Sequence, residues 1–412
     1  MVGGNGLRNR ISLMEIAAKN GSMVVMLAMA ILVGMGEKMA ERFLPLYLIA
    51  LGGSTWSIGF LNAMDNLLSA LYSFPGGYLA DRIGHKRSLQ LFTAVAIFGY
   101  LLVILIPSWI AVLVGAVFFI SWTAVSLPAI MSLVSVAVPK ERRSFGVSLH
   151  SFVRRIPMAL GPIVGGILIG AFGRVQGVRM AFGAAIVFGL IAMFLVQRFM
   201  TDDSREKKER PTSAVKISKL FSPALRGLLA SDILIRFAEQ IPYAFVVIWA
   251  VENNHLTPLQ FGLLTTIEMV TAMLVYIPVA RMADKYGKKR FVLITFGFFT
   301  LFPLILLFAH SFWMFAVAFV IRGLKEFGEP TRKALIMDLA PEDAKARTFG
   351  TYYLIRDVIV TLAALSSAWL WNISPATNFL TATAFGVVGT VVFAFFGKDL
   401  HRADAGTTTG VA

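Results

Sequence analysis

Cysteine is absent from the 412 residues. Disulfides, thiolate metal sites and cysteine nucleophiles are therefore excluded. Charge is scarce too. Asp, Glu, Lys and Arg make up 15% of the chain, against 57% hydrophobic residues and a mean hydropathy of +0.74. A soluble chain of this length would carry more charge and shorter apolar runs. The five histidines are scattered. There is no H-E-x-x-H, no G-x-x-x-x-G-K-[ST] and no G-x-S-x-G. With no soluble domain to hold a catalytic or sensory site, neither an enzyme nor a receptor is expected, and no metal or cofactor is implied.

What fills the chain is a series of apolar runs of about 20 residues, each long enough to cross a hydrocarbon core of about 30 Å. Spans are expected near 22–49, 56–79, 88–106, 109–137, 146–172 and 179–199. The second six fall near 224–251, 259–282, 291–309, 312–337, 348–371 and 376–397. Arg8, Arg10 and Lys19 precede the first run, which is too long for a signal-peptide core and reads as an uncleaved span. The polar stretch from Thr201 reads as a solvated connector. The chain thus divides into a six-helix bundle at 1–200, a central loop at 201–222 and a second six-helix bundle at 223–412.

The formal charge is +15. A nucleic-acid partner would explain it, and so would the crowding of Lys and Arg into cytoplasmic loops. The distribution favours the second explanation. With the N-terminus inside, cytoplasmic loops hold Arg82, Lys86, Arg87, Lys140, Arg142, Arg143, Lys285, Lys288, Lys289, Arg290, Lys345 and Arg347. The opposite loops hold only Arg174 and Arg179. Both termini are expected in the cytoplasm, the protein in the cell's inner (plasma) membrane, and nucleic acid has no part.

The two halves repeat. A shift of 203 positions pairs Pro75 with Pro278, Asp81 with Asp284, Gly84 with Gly287, Lys86 with Lys289 and Arg87 with Arg290. The same shift pairs Asp65 with Glu268, two acids inside spans 2 and 8. Repeats of this kind build secondary transporters, with the solute site at the repeat interface near the midplane.

The segment Gly77-Tyr-Leu-Ala-Asp81-Arg82-Ile-Gly84-His-Lys86-Arg87 resembles the signature between helices 2 and 3 of the major facilitator superfamily, G-x-x-x-D-R-x-G-R-[KR], with His85 in place of an Arg. A degenerate copy with Asp284, Gly287, Lys289 and Arg290 stands at the matching place in the second half. The resemblance implies an all-α integral membrane fold of twelve helices in two pseudo-symmetric bundles. It also implies alternating access, a small-molecule substrate and a monomer in the lipid bilayer. In the family this Asp latches the halves in one conformation. Helices 1, 4, 7 and 10 line the cavity, and helices 3, 6, 9 and 12 face lipid. Gly161-Pro162-Ile-Val-Gly165-Gly166 in span 5 resembles the core of a signature of proton-driven antiporters, although Pro157 replaces an expected glycine. Close packing by small residues is the plainer explanation.

Ionisable groups inside a span cost at least a few kcal/mol and mark function by default. Span 1 carries Glu37, Lys38, Glu41 and Arg42; Glu37 and Glu41 share a face and need partners on other helices, unless Lys38 and Glu41 neutralise each other. Span 7 carries Asp232, Arg236 and Glu239, with Asp232 and Arg236 spaced to pair. In span 10, Arg322 with Glu326 and Lys325 with Glu329 have salt-bridge spacing, and Pro330 should kink the helix. Arg154 and Arg155 in span 5, and Arg356 with Asp357 in span 11, either enter the cavity or snorkel to the surface. Asp65 and Glu268 stand largely alone, and a buried carboxylate without a fixed cation can carry a proton. They are the first candidates for proton coupling, then Glu37 and Glu239. The cavity candidates are Glu41, Arg42, Arg154, Arg155, Arg236, Arg322, Lys325, Glu326, Arg356 and Asp357.

Two transport functions follow. Buried acids and aromatics such as Trp122, Phe237, Tyr243 and Trp249 would suit proton-coupled export of drug-like or amphipathic metabolites. The buried arginines would suit an anionic solute, a carboxylate or phosphate. Buried bases roughly match buried acids, so composition alone leaves both open.

Overall fold

The computed structural model describes residues 21–120, 122, 143–200, 220–341 and 344–397. The first span is α1 (Gly21–Glu41) followed by α2 (Leu44–Ala50), with Arg42 and Phe43 in a break between them. Then come α3 (Thr55–Ile83), α4 (His85–Leu105), α5 (Trp109–Phe119) and α6 (Arg143–Phe199). The second half opens with α7 (Pro223–Tyr243) and α8 (Val246–Ile248), which runs into a π turn at Trp249–Asn253. It continues with α9 (Pro258–Tyr286), α10 (Lys288–Leu307) and α11 (Phe312–Leu324). A 3₁₀ turn at Lys325–Gly328 joins α11 to α12 (Glu329–Leu339), and α13 (Lys345–Ile373) and α14 (Pro375–Phe396) complete the fold.

Six of these helices are long and apolar enough by themselves to cross a membrane, and α7 with α8 adds a bent one. The remaining passes fall short for visible reasons. The stretch 153–199 of α6 has 47 residues, about twice a bilayer, and turns back at Gly173, where φ is 78° and ψ 170°. The pass made by α1 and α2 is broken and charged, α3 carries Asp65, Asp81 and Arg82, and α11 and α12 are split by the 3₁₀ turn. The pass that opens with α5 continues beyond the described residues. Charges and breaks are what disqualify these helices on composition alone.

The repeat read from the sequence reappears in the backbone. Gly84 and Gly287, 203 apart, both take positive φ (86° and 92°) and turn one helix directly into the next. Gly52 and His255 are also 203 apart, and both take positive φ (83° and 55°). An L-residue adopts that conformation reluctantly, so its retention at His255 marks a turn geometry that the repeat demands. The breaks at Arg42–Phe43 and Ala244–Phe245 also correspond.

These turns define two faces. The Gly52 face carries the turns at Gly52, Ser108, Gly173, His255, Ser311 and Ser374. Ser108 and Ser374 cap the helices that follow them through Ile110 N (3.2 Å) and Thr377 N (3.0 Å). The Gly84 face carries Gly84, Gly287, Ala340 and Pro341. Large apolar side chains such as Phe98 on α4, Phe194 on α6, Ile294 on α10 and Phe395 on α14 point outward, as a lipid-facing surface requires.

Most contacts between the halves among the described residues run through two symmetry-related pairs, α3 with α13 and α6 with α9. Small residues allow the approach. A Cβ on Gly59 would meet Ala368 Cβ at 2.8 Å, and one on Gly166 would meet the Pro258 carbonyl oxygen at 2.6 Å. One on Gly262 would overlap the Pro162 carbonyl. Thr55 hydroxyl donates to Asn372 (2.6 Å), and Arg174 pairs with Glu252 (2.5 Å). All of these lie on the Gly52 side, so that side is sealed. The Gly161–Gly166 segment is part of the seal: Gly161 and Gly165 lie against Lys38 and Met39 of α1, while Gly166 faces α9.

A central cavity and the charges around it

A cavity of about 190 Å³ lies between the halves. Its walls come from α1 (Glu37, Lys38, Glu41), the break after α1 (Arg42), α3 (Ile58, Leu61, Asn62, Asp65, Ser69), α5 (Phe119), α6 (Phe182), α7 (Tyr243) and α11 (Arg322). Lys38 serves both acids of α1. Its Nζ lies 3.0 Å from Glu37 and also pairs closely with Glu41. The two acids thus find a cation on their own helix rather than only on others.

Asp65 differs. The one hydrogen bond to its carboxylate among the described residues comes from the Ser69 hydroxyl at a long 3.4 Å. Asn62 and Asn66 do not turn to it. Asn62 donates to the Gln240 carbonyl and Asn66 to the Gln240 side chain, both at 3.1 Å, tying α3 to α7 across the halves. Arg42 makes no ion pair among the described residues. Its guanidinium sits 5.2 Å from the Tyr243 ring centre, and that of Arg322 lies 5.5 Å from the same ring. A cation over a ring face is attracted by the ring quadrupole.

Behind Arg322, the second half holds a chain of alternating charge. Arg322 pairs with Glu268 (3.2 Å), which also faces Lys325 (3.9 Å). Lys325 and Arg236 both reach Glu239 (2.5 Å each). Arg236 touches Glu329 (3.5 Å), Glu329 pairs with Arg332 (2.7 Å), and Arg332 pairs with Asp232. Asp232 also accepts from Tyr352 (3.1 Å) and faces Arg356 (3.5 Å), which pairs with Asp357 (2.6 Å). Between the halves, Arg155 meets Glu326 at 3.0 Å.

Several expected pairings are corrected by this geometry. Asp232 does not pair with Arg236, because it faces α12 and α13, while Arg236 has Glu239 on its own face and Glu329 opposite. Arg322 does not reach Glu326, nor Lys325 Glu329. The 3₁₀ turn winds more tightly than an α-helix and carries Glu326 and Glu329 out of that register. Glu268 is not alone; it is bound by Arg322, although its second oxygen is buried without a partner. Arg155 turns to Glu326 and Arg356 is buried, so neither snorkels. Arg154 is half-buried beside it.

Gly77, Asp81 and Asp284 lie outside the residues whose surroundings are described. Arg82, Arg87 and Arg290 are exposed on the Gly84 face. Lys86 reaches the end of α6, donating to the Gln197 (3.0 Å) and Met200 (2.9 Å) carbonyls. There a cation meets the negative end of a helix. Lys289 is half-buried, and its neighbour Lys288 pairs with Asp338. Sequence reasoning passed over Arg332, which is 1% exposed and holds two acids. Its spacing three residues after Glu329 was the available signal.

Two repeats with matching helix breaks, joined on the Gly52 side around a central cavity, are the build of a secondary transporter. The chain belongs to the Major Facilitator Superfamily, whose family model matches residues 26–238 and 228–410. It is 24% identical over 389 residues to a multi-drug resistance efflux pump PmrA homolog of Lactococcus lactis, covering 90% of this chain and 93% of that protein. It is 22% identical over 382 residues to an uncharacterized MFS-type transporter of Methanocaldococcus jannaschii, covering 88% and 91%. In fold it matches the crystal structure of the nucleoside transporter NupG with a TM-score of 0.76 at 12% identity, over 91% of this chain and 100% of that one. The chain is a multi-pass membrane protein and not an enzyme.

Proposed function

We propose that this transporter is a proton-coupled exporter of drug-like or amphipathic solutes, working as a monomer in the plasma membrane with the Gly84 face in the cytoplasm. The observation that carries the reading is Asp65, a cavity carboxylate without an ion pair among the described residues. The α1 charges that line the same cavity, Glu37, Lys38 and Glu41, are already joined through Lys38. Arg322, on α11, is joined to Glu268. Asp65 can therefore exchange a proton for a solute cation without breaking a salt bridge, which is the minimal chemistry of antiport. Glu37, Glu239 and Glu268 could relay protons only by releasing Lys38, Lys325 or Arg322. The clustering of Arg82, Lys86, Arg87, Lys288, Lys289 and Arg290 on one face supports the orientation. Asp81 and Asp284 would latch the opposite closure. The efflux pump among the relatives supports export.

Proteoliposomes with an internal pH dye test the reading. A solute exported by the wild type should drive proton movement, and Asp65→Asn should abolish that movement while the protein remains folded. Transport that is indifferent to a pH gradient, with Asp65→Asn fully active, would refute it. An anionic solute has one observation in its favour, the cavity guanidinium of Arg42 with only a ring beneath it. Stabilisation of the purified protein by anions alone, lost in Arg42→Gln, would decide for that alternative.

A further inference from the structure

We infer that the solute is amphoteric: a small molecule with an apolar body, a cationic amine bound by Asp65 and a carboxylate bound by Arg42. This rests on the reading of the cavity as the solute site. Most ionic groups lining it are already matched. Glu37 and Glu41 share Lys38, and Arg322 is held by Glu268. Among the described residues that line the cavity, one carboxylate and one guanidinium have no ion pair. Both side chains line the cavity and are half-buried.

The way Arg42 is held points to a carboxylate. Its guanidinium lies over the Tyr243 ring, 5.2 Å from the ring centre, and its N–H groups make no hydrogen bond among the described residues. Those groups form the planar fork that matches a carboxylate in two parallel hydrogen bonds. A purely cationic solute would leave Arg42 desolvated without a partner, and a purely anionic one would leave Asp65 so. Each leftover charge is a penalty that an amphoteric solute avoids. The body of the solute would lie against Ile58, Leu61, Phe119, Phe182 and Tyr243. A volume of about 190 Å³ suits a single aromatic or branched group. Because the amine and a proton compete for Asp65, binding one releases the other.

The test is equilibrium binding to the purified full chain in detergent, without any pH gradient. Two matched sets of probes are used: L-phenylalanine and norfloxacin, each with its methyl ester (cation only) and its N-acetyl form (anion only). In at least one set, the parent zwitterion should bind about tenfold or more tightly than either derivative, the scale of one charge-assisted hydrogen-bond pair. Arg42→Gln should reduce the parent to the level of its ester and leave the ester unchanged. Asp65→Asn should reduce the parent to the level of its N-acetyl form. Arg42→Lys, which keeps the charge in the same place, should retain part of the preference and serves as the variant if Arg42→Gln does not fold. Equal binding of parent and derivatives, no binding of either zwitterion, or an unchanged ratio in Arg42→Gln would overturn the inference. Failure of proton coupling in vesicles would leave this binding result standing. Proton-coupled export of a purely cationic solute would overturn the inference alone.

Discussion

At the residue scale, the contrast between Arg332 and Asp65 is the most informative. Arg332 and Asp232 are each 1% exposed and bind each other, so removing one strands the other. Breaking such a pair costs about 3–5 kcal/mol, partly offset here because Asp232 keeps Tyr352 and Arg356. Arg332→Gln should therefore lower the thermal midpoint in detergent, and adding Asp232→Asn should recover part of the loss. A double variant no better than the single one would contradict this. Asp65 was legible in the sequence because it is an acid in a span with no base nearby on its own helix. The pairing of Arg332 with Asp232 was not, since that partner stands 100 positions earlier on α7. Pairing across helices depends on which faces meet, and spacing along one helix says nothing about that.

At the element scale, the outcome turns on breaks. Apolar runs and the 203-residue repeat made the all-helical membrane fold and its internal repeat readable in advance. The 3₁₀ turn at Lys325–Gly328 was foreshadowed only by Pro330, and it is what redirects Arg322, Lys325 and Glu326 away from i,i+4 pairing toward α9, α7 and α6. The glycines of α6 have a sharper consequence. Gly166→Ala and Gly262→Ala should each prevent full contact of α6 with α9 and open the Gly52 side, at the cost of one to a few kcal/mol that overpacking brings. Gly170→Ala, with nothing within 4 Å of its Cβ, is the silent control. Spin-label distances across the Gly52 face would read the shift. An unchanged distance in Gly166→Ala would remove the segment's role in closure.

At the scale of the whole molecule, the absence of cysteine allows a direct test of alternating access. Thr55 and Asn372 touch across the halves on the Gly52 face. Thr55→Cys with Asn372→Cys should be oxidised to a cross-link in this conformation, stop transport, and release it on reduction; undiminished transport by the cross-linked protein would show that this face need not open. On the proposed coupling, the isolation of Asp65 would also set the electrical character of the cycle, because a single unpaired carboxylate would carry one proton per turnover. If the departing solute bears no net charge, each exchange moves one elementary charge across the bilayer. Export would then be driven by membrane voltage as well as by acidity, worth about 2.3 kcal/mol per 100 mV. Vesicles fused to a solid-supported membrane should give a transient current with a zwitterionic solute, and none with Asp65→Asn. Such a pump would keep working in a neutral medium, where no pH difference exists but the cell still holds its voltage.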